Sequence, residues 1–245
     1  MNGNSYIVQN GPLGNQIITS GQLADATARH LSGTRVDAIS PYWGGGHFIY
    51  GKAGAAIRQF GVCVLTPAVA SGAMSYVATE VPNTGNLGRA LVIAISAMDS
   101  GDYGWFMTSG ITPVNCTASV AADTAFGIVA AGQAGAIASG KQILGGRVII
   151  AAAATVAKTG LANSGSYQLR VNGGCDGWFQ GAYLSGTGIA AGATVTDISP
   201  DGKTVTMSAV TTAAVNGTVT ATYNNATVYY NVAHINNPIA QGQTT

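Results

Sequence analysis

The sequence predicts a mainly β protein: a sandwich or barrel-like main domain with a small β module inserted into it. Three observations carry that expectation. Glycine supplies 35 of 245 residues, about twice the usual share, and suits a chain of tight turns. Only one glutamate (Glu80) and four lysines (Lys52, Lys141, Lys158, Lys203) are present, too few to coat amphipathic helices. Short apolar runs, alternating or continuous, recur between glycine-rich breaks in the manner of strands.

Residues 1–20 contain Asn10-Gly11-Pro12 and Gly14 and little periodicity, so they are expected to form an extended arm, of the kind that lies on a neighbour. From Ser20 the spacing of Leu23, Ala26, Ala28 and Leu31 predicts a short helix, capped by Ser20 and stopped at Gly33. From Val36 onward strands take over. Gly44-Gly45-Gly46 leads into an aromatic strand, His47 to Tyr50, and Val62 to Leu65 makes the next. Leu91, Ile93 and Ile95 alternate with Val92, Ala94 and Ser96; with both faces largely apolar, that strand belongs in the centre of a sheet. Tyr103 to Met107 is a further aromatic strand. Ala118 to Gly140 reads as loops and short strands over the sheet, and Arg147 to Ala154 as a buried strand.

A shift to Thr, Gly, Ser and Asn marks the module at 158–226, leaving 21–157 and 227–245 for the main domain. Turns are expected at Asn172-Gly173, Asp176-Gly177, Pro200-Asp201-Gly202 and Asn216-Gly217. Around Asp201-Gly202, residues Ala193 to Ile198 should pair with Lys203 to Ala209. Val219, Ala221 and Tyr223 alternate with threonines, and Asn224-Asn225 turns the chain into a last strand, Thr227 to Ile235, returning to the main domain. Such insertions succeed where the two ends of a surface hairpin lie close together.

Charged residues make up 8% of the chain and the net charge is +1. No clustered Lys and Arg exist for phosphates, so neither nucleic acid nor an anionic membrane is an expected partner. The longest apolar stretch, Val148 to Ala157, is about half of the ~20 residues that span a bilayer. Met1 to Tyr6 lacks a basic region followed by an apolar core, so no secretory signal is expected and synthesis in a cytoplasm is. A surface so poor in ions usually needs a partner to cover part of it.

Catalytic motifs are lacking. His30, His47, His234 and nine carboxylates are scattered along the chain. Gly186 to Gly192 lacks the dinucleotide-loop spacing and no helix is expected after it. Asp99 with Asp102, and Asp197 with Asp201, sit close in sequence as a calcium or glycosidase pair would, but aspartates that bond their own turn backbone are commoner. Cys63, Cys116 and Cys175 form neither a disulfide framework nor a zinc spacing and are expected to be buried thiols. No catalytic, cofactor or metal site is expected. Trp178, Phe179 and Tyr183 lie near turns; they are either core residues or an outward-facing patch able to stack a sugar.

The segments Gly46 to Lys52, Gly54 to Val64, Gly88 to Ala94, Gly101-Asp102-Tyr103-Gly104-Trp105-Phe106 and Tyr230 to Asn236 together resemble the capsid cement, or head decoration, proteins of tailed bacteriophages. The similarity covers about 36–155 and 227–242. Ser185 to Thr196 resembles the small β repeats of phage fibre and surface proteins. The resemblance implies a structural virion protein, made in the bacterial host, that binds the outside of the capsid as an oligomer, a homotrimer or a dimer, and ties major capsid proteins together. On that reading Tyr6, Ile7, Val8, Trp43, His47 and Phe48 are the candidate interface, with the inserted module as an exposed knob. A tail-fibre, receptor- or glycan-binding role is the alternative, resting on the Thr/Gly/Ser-rich insert and on Trp178, Phe179 and Tyr183.

Overall fold

The computed structural model describes residues 6–8, 16–18, 24–40, 44–70, 73–199, 201–224 and 228–242. The protein is all-β, with two sheets. The first draws on β1 (Tyr6–Val8), β2 (Gln16–Ile18), β3 (Ala24–Asp25), β4 (Arg35–Ser40), β5 (Gly44–Ala53), β6 (Val62–Ala70), β7 (Ala73–Glu80), β8 (Leu91–Ala94), β9 (Tyr103–Cys116), β10 (Gly127–Ala130), β11 (Gln133–Gly135) and β12 (Ile143–Ile150). The second contains β13 (Thr155–Ala162), β14 (Gln168–Val171), β15 (Tyr183–Ser185), β16 (Val195–Ile198), β17 (Thr204–Met207) and β18 (Val215–Thr222). The chain then re-enters the first sheet as β19 (Tyr229–Ala240), between β12 and β9.

Five strands of the first sheet close a ring. β9 pairs with β8, β8 with β6, β6 with β7, β7 in parallel with β5, and β5 with β9. Each strand sends one set of side chains inward: Ile49, Cys63, Ala78, Val92 and Phe106 share a buried cluster with Ala53, Ile57, Ala94 and Met98. A ring this narrow needs small residues among its fillers, and Cys63, Ala78 and Ala94 supply them beside a single Phe106. The alternate residues of the same strands, Tyr50, Val64, Ile93, Trp105 and Met107, face outward into a second and larger core. This double burial explains why Leu91 to Ala94 is apolar at every position and central, as its sequence pattern predicts.

The second sheet has the order β15-β18-β13-β14-β17-β16 with antiparallel pairs throughout. The expected hairpin forms at Asp201-Gly202, with Val195 opposite Met207 and Ile198 opposite Val205. Gly202 adopts φ +67°, the left-handed conformation open to glycine. Leu169, Val205, Val219 and Ala221 from this sheet join Trp105, Val114 and Val232 of the first in one continuous buried cluster. The two sheets therefore meet through a shared core.

Four expectations need correction. Among the described residues of 20–33, the chain forms β3 and bends rather than a helix. The Asp25 carboxylate accepts the Thr27 N–H and pairs with the Arg29 guanidinium, offering the backbone a local alternative to helical bonds. Asn216-Gly217 is no turn: both residues lie inside β18, opposite Leu161 and Gly160. Arg147 to Ala154 is buried on one face only; Val148 is buried, whereas Arg147 and Ile149 are exposed and β12 ends at Ile150. The N-terminal arm is not free where it is described, since β1 pairs with β4, Ile7 opposite Ile39, and β2 continues the sheet beyond it.

With no helix to hold it, His30 is seated by aromatic packing. Its ring lies 5.1 Å from Tyr50, edge-on, and 5.2 Å from Trp105. Burial, with the Arg29 guanidinium nearby, holds the imidazole below its ordinary pKa. The unfolded chain then binds the proton more readily, so this contribution to stability is complete above pH ~6.5 and is lost as the pH falls below it. Between pH 7 and pH 5 the urea midpoint of the native protein should drop further than that of His30→Phe, which keeps the ring and removes the titration. Equal drops in the two proteins would refute the assignment.

Candidate functional site

The β6–β7 hairpin is the most exposed apolar feature among the described residues apart from the lone Leu31. From Gln59 to Thr79 the chain carries no charged residue, and the two strands pair in continuous register from Cys63 opposite Glu80 to Ala70 opposite Ala73. The ring buries the lower part of the hairpin; the upper part runs past it into solvent. There Val69 and Met74 face each other across the ladder, 72% and 62% exposed. Covering such a pair with a partner would release ~1.5–3 kcal/mol per side chain. Pro67, in the same exposed stretch, removes a backbone donor and makes this strand a poor template for further strand pairing.

A groove of ≈ 230 Å³ opens at the base of the hairpin, lined by Leu65, Tyr76, Leu91, Val92, Pro238 and Ile239 among others. Tyr76 is positioned by Gly33. At φ +91° a side chain on Gly33 would be strained, and its Cβ would lie 2.7 Å from the tyrosine ring. The Ser32 hydroxyl also accepts the Tyr76 N–H at 2.6 Å. Ile239, 45% exposed, lies in the groove wall. Hairpin and groove together present an apolar, rigidly backed surface.

The described members of the sequence-predicted interface lie on neighbouring strands, β1 and β5 on either side of β4, with Val8 opposite Ala38 and Ala38 opposite Gly46. Tyr6, Ile7 and Val8 form β1, joined to β4, while Trp43 lies outside the described residues. His47 is exposed on β5, where its Nδ1 contacts the Asp37 carboxylate across the ladder. Beside it a cavity of ≈ 360 Å³ is lined by Asp37, Ile39, His47, Ser109 and His234. Phe48 is only 3% exposed; it belongs to the core and is corrected as a contact residue, because strand alternation turns it inward when His47 faces out.

The outward-facing aromatic patch is likewise corrected. Trp178 is fully buried, its indole N–H donating to the Val156 carbonyl at 3.1 Å. Phe179 is buried too, with ring centroids 5.9 Å from Phe60, 5.7 Å from Tyr230 and 5.0 Å from Tyr223. Phe60 and Tyr230 belong to the main sheet region, so the Phe179 ring joins module to main domain. Tyr183 is half-buried on β15, and burial raises its phenol pKa.

Several of the titratable groups are engaged in structural bonds, whereas Asp197 keeps a buried Oδ1 without a hydrogen-bond partner among the described residues. A cavity of ≈ 410 Å³ is lined by Arg58, Glu80, Met98, Asp99 and Asp102. Its Arg58 pairs with Glu80 and donates to the Ala131 carbonyl at 2.7 Å. Asp102 accepts the Asp99 N–H at 2.9 Å, the turn bond favoured from sequence. Asp201 does the same with Ser199 and Lys203, which holds its carboxyl below the usual range. Burial pushes the Asp197 carboxyl up. The three thiols are free and buried, with burial raising Cys116 to about 11 and Cys175 to about 12, so neither is a ready nucleophile. Among the described residues no group of three or more His, Cys, Asp or Glu gathers to hold a metal ion. No helix there is long and apolar enough to cross a membrane.

Sequence reasoning missed Val69, Met74 and the groove. The available signal was the charge-free run from Gln59 to Thr79, but its exposure depends on how far the hairpin overshoots the ring. Fold and surface together define an all-β protein that presents an apolar hairpin and groove to its surroundings. Neither known protein families, nor curated proteins, nor solved structures contain a match to this chain.

Proposed function

We propose that the protein is a structural virion component: it binds the outer surface of a phage capsid as an oligomer and stabilises the lattice of major capsid proteins. The observation that carries this reading is the β6–β7 hairpin, whose exposed Val69 and Met74 form an apolar contact surface on a chain with few charges to solvate it. The resemblance of the segments around Gly46 to Lys52 and Gly101 to Phe106 to head decoration proteins supplies the partner. A cement needs stiffness and multivalency rather than turnover. A closed ring whose outer face shares a core with a second sheet supplies stiffness, and several weak contacts per oligomer reinforce one another at high effective concentration. The burial of Trp178 and Phe179 takes two of the three rings proposed for glycan stacking out of solvent, which favours the capsid reading over the glycan-binding one.

Quantitative mass spectrometry of purified particles, comparing copies of this chain with the major capsid protein, tests the proposal. Copy numbers of the same order as the capsid subunit are expected. A handful of copies per particle would move the protein to the tail, and absence from particles would overturn the reading.

A further inference from the structure

We propose that Asn172 is a site of spontaneous deamidation through a succinimide, a covalent modification that ages the inserted module from neutral to acidic at one turn. Two Asn-Gly pairs lie among the described residues, Asn172-Gly173 and Asn216-Gly217, and the fold treats them oppositely. Asn172 and Gly173 are both exposed, at the centre of a turn closed by the Gly174 N–H donating to the Val171 carbonyl at 3.3 Å. Gly173 sits at φ +76°, and a Cβ there would meet nothing within 4 Å. The turn is anchored at its ends, where Val171 N–H reaches the Lys203 carbonyl and Cys175 N–H the Gly202 carbonyl, both at 2.7 Å. Between those anchors the Asn172 N–H donates to the Thr159 carbonyl at 2.9 Å, but neither the Asn172 carboxamide nor the Gly173 N–H bonds to a described residue. Asn216 and Gly217, by contrast, are held extended in β18 against Leu161 and Gly160.

The reaction needs the Gly173 amide nitrogen to approach the Asn172 side-chain carbonyl carbon. The nitrogen attacks that carbon as it gives up its proton, a C–N bond forms, and the carboxamide nitrogen leaves as ammonia. Water then opens the five-membered ring at either carbonyl, giving aspartate or isoaspartate. No electrons are transferred, and the balance is one water consumed for one ammonia released. At Asn172 the approach costs rotation in an open turn beside a residue without a side chain. At Asn216 it requires the β13–β18 ladder to open first, and such local opening is rare in a paired strand. Each event replaces a neutral amide by a carboxylate, taking the formal net charge from +1 to zero. The isoaspartate form also inserts one extra carbon into the backbone between β14 and the Cys175 turn.

The test is timed incubation of the folded full chain at pH 8.5 in water enriched in oxygen-18, followed by digestion and peptide mass spectrometry that separates aspartate from isoaspartate. Asn172 should convert at least about tenfold faster than Asn216, equivalent to ~1.4 kcal/mol of ladder opening. It should give both isomers, each carrying one oxygen from solvent. In concentrated urea the two sites should converge. Asn172→Gln should abolish the product at this position while leaving the fold unchanged by circular dichroism. Equal conversion of the two sites in the folded protein, or an Asn172 that remains an amide while the urea control reacts, would overturn the proposal.

Discussion

Replacing Asn231 with leucine is expected to destabilise the protein by about 3–5 kcal/mol, the cost of orphaning buried backbone groups at an otherwise well-packed position. Asn231 is fully buried in β19. Its Oδ1 accepts the Val120 N–H at 3.1 Å and the Ala152 N–H at 2.7 Å, while its Nδ2 donates to the Ala118 carbonyl at 3.2 Å. One amide thus satisfies three backbone groups of two loops that have no strand partner there. Leucine matches its volume approximately and can supply none of those bonds, so both loops must either bury unpaired groups or swing out to water. In thermal unfolding the midpoint should fall by roughly 10 °C. Asn83→Ala, which removes only an exposed contact to the Lys141 ammonium, should stay within about 0.5 kcal/mol of the native protein. Equal stability of Asn231→Leu and the native chain would show that the loops find other partners.

Phe179→Ala is expected to cost about 3–5 kcal/mol as a buried ring replaced by a cavity, and to separate the unfolding of the two sheets. Phe179 packs edge-on against Phe60 and Tyr230 of the main sheet region and, tilted, against Tyr223 at the end of the module. Phe60 has little freedom to follow a retreating partner. It sits at φ +55°, uncommon for an aromatic residue, with its N–H donating to Ala94 and its carbonyl accepting from Asn115, both at 2.8 Å. The space left by alanine therefore stays open at the junction. Calorimetry should turn one cooperative transition into two, the module melting first. Tyr167→Ala, an exposed aromatic of the same module, should leave a single transition. One unchanged transition in Phe179→Ala would mean that the sheets are joined elsewhere.

Legibility of the fold follows the range of the interactions involved. Leu91 to Ala94 and the Asp201-Gly202 hairpin were legible because alternation and turn chemistry are decided within a few residues. Ser20 to Leu31 has helical spacing, yet Asp25 bonds its own backbone and His30 is captured by Tyr50 and Trp105, partners twenty and seventy-five residues away. Asn216-Gly217 has turn chemistry, yet β13 holds it straight. Gly160 opposite is needed because a Cβ there would lie 2.9 Å from both Leu169 and Val219. Trp178 and Phe179 stand near turns, where exposure is the usual inference, but both are buried and Phe179 fills the seam between the sheets.

By itself the sequence determined the β class, the periodic strands, the glycine turns and a surface with few ions, since each depends on local conformational preference or on composition. Only the tertiary structure decided that five strands close a ring, that Asn231 serves two loops at once, and that Val69 and Met74 stand in solvent. Those outcomes depend on which distant strands pair and how far a hairpin extends beyond its neighbours, and residues far apart in sequence become neighbours only when the chain closes on itself.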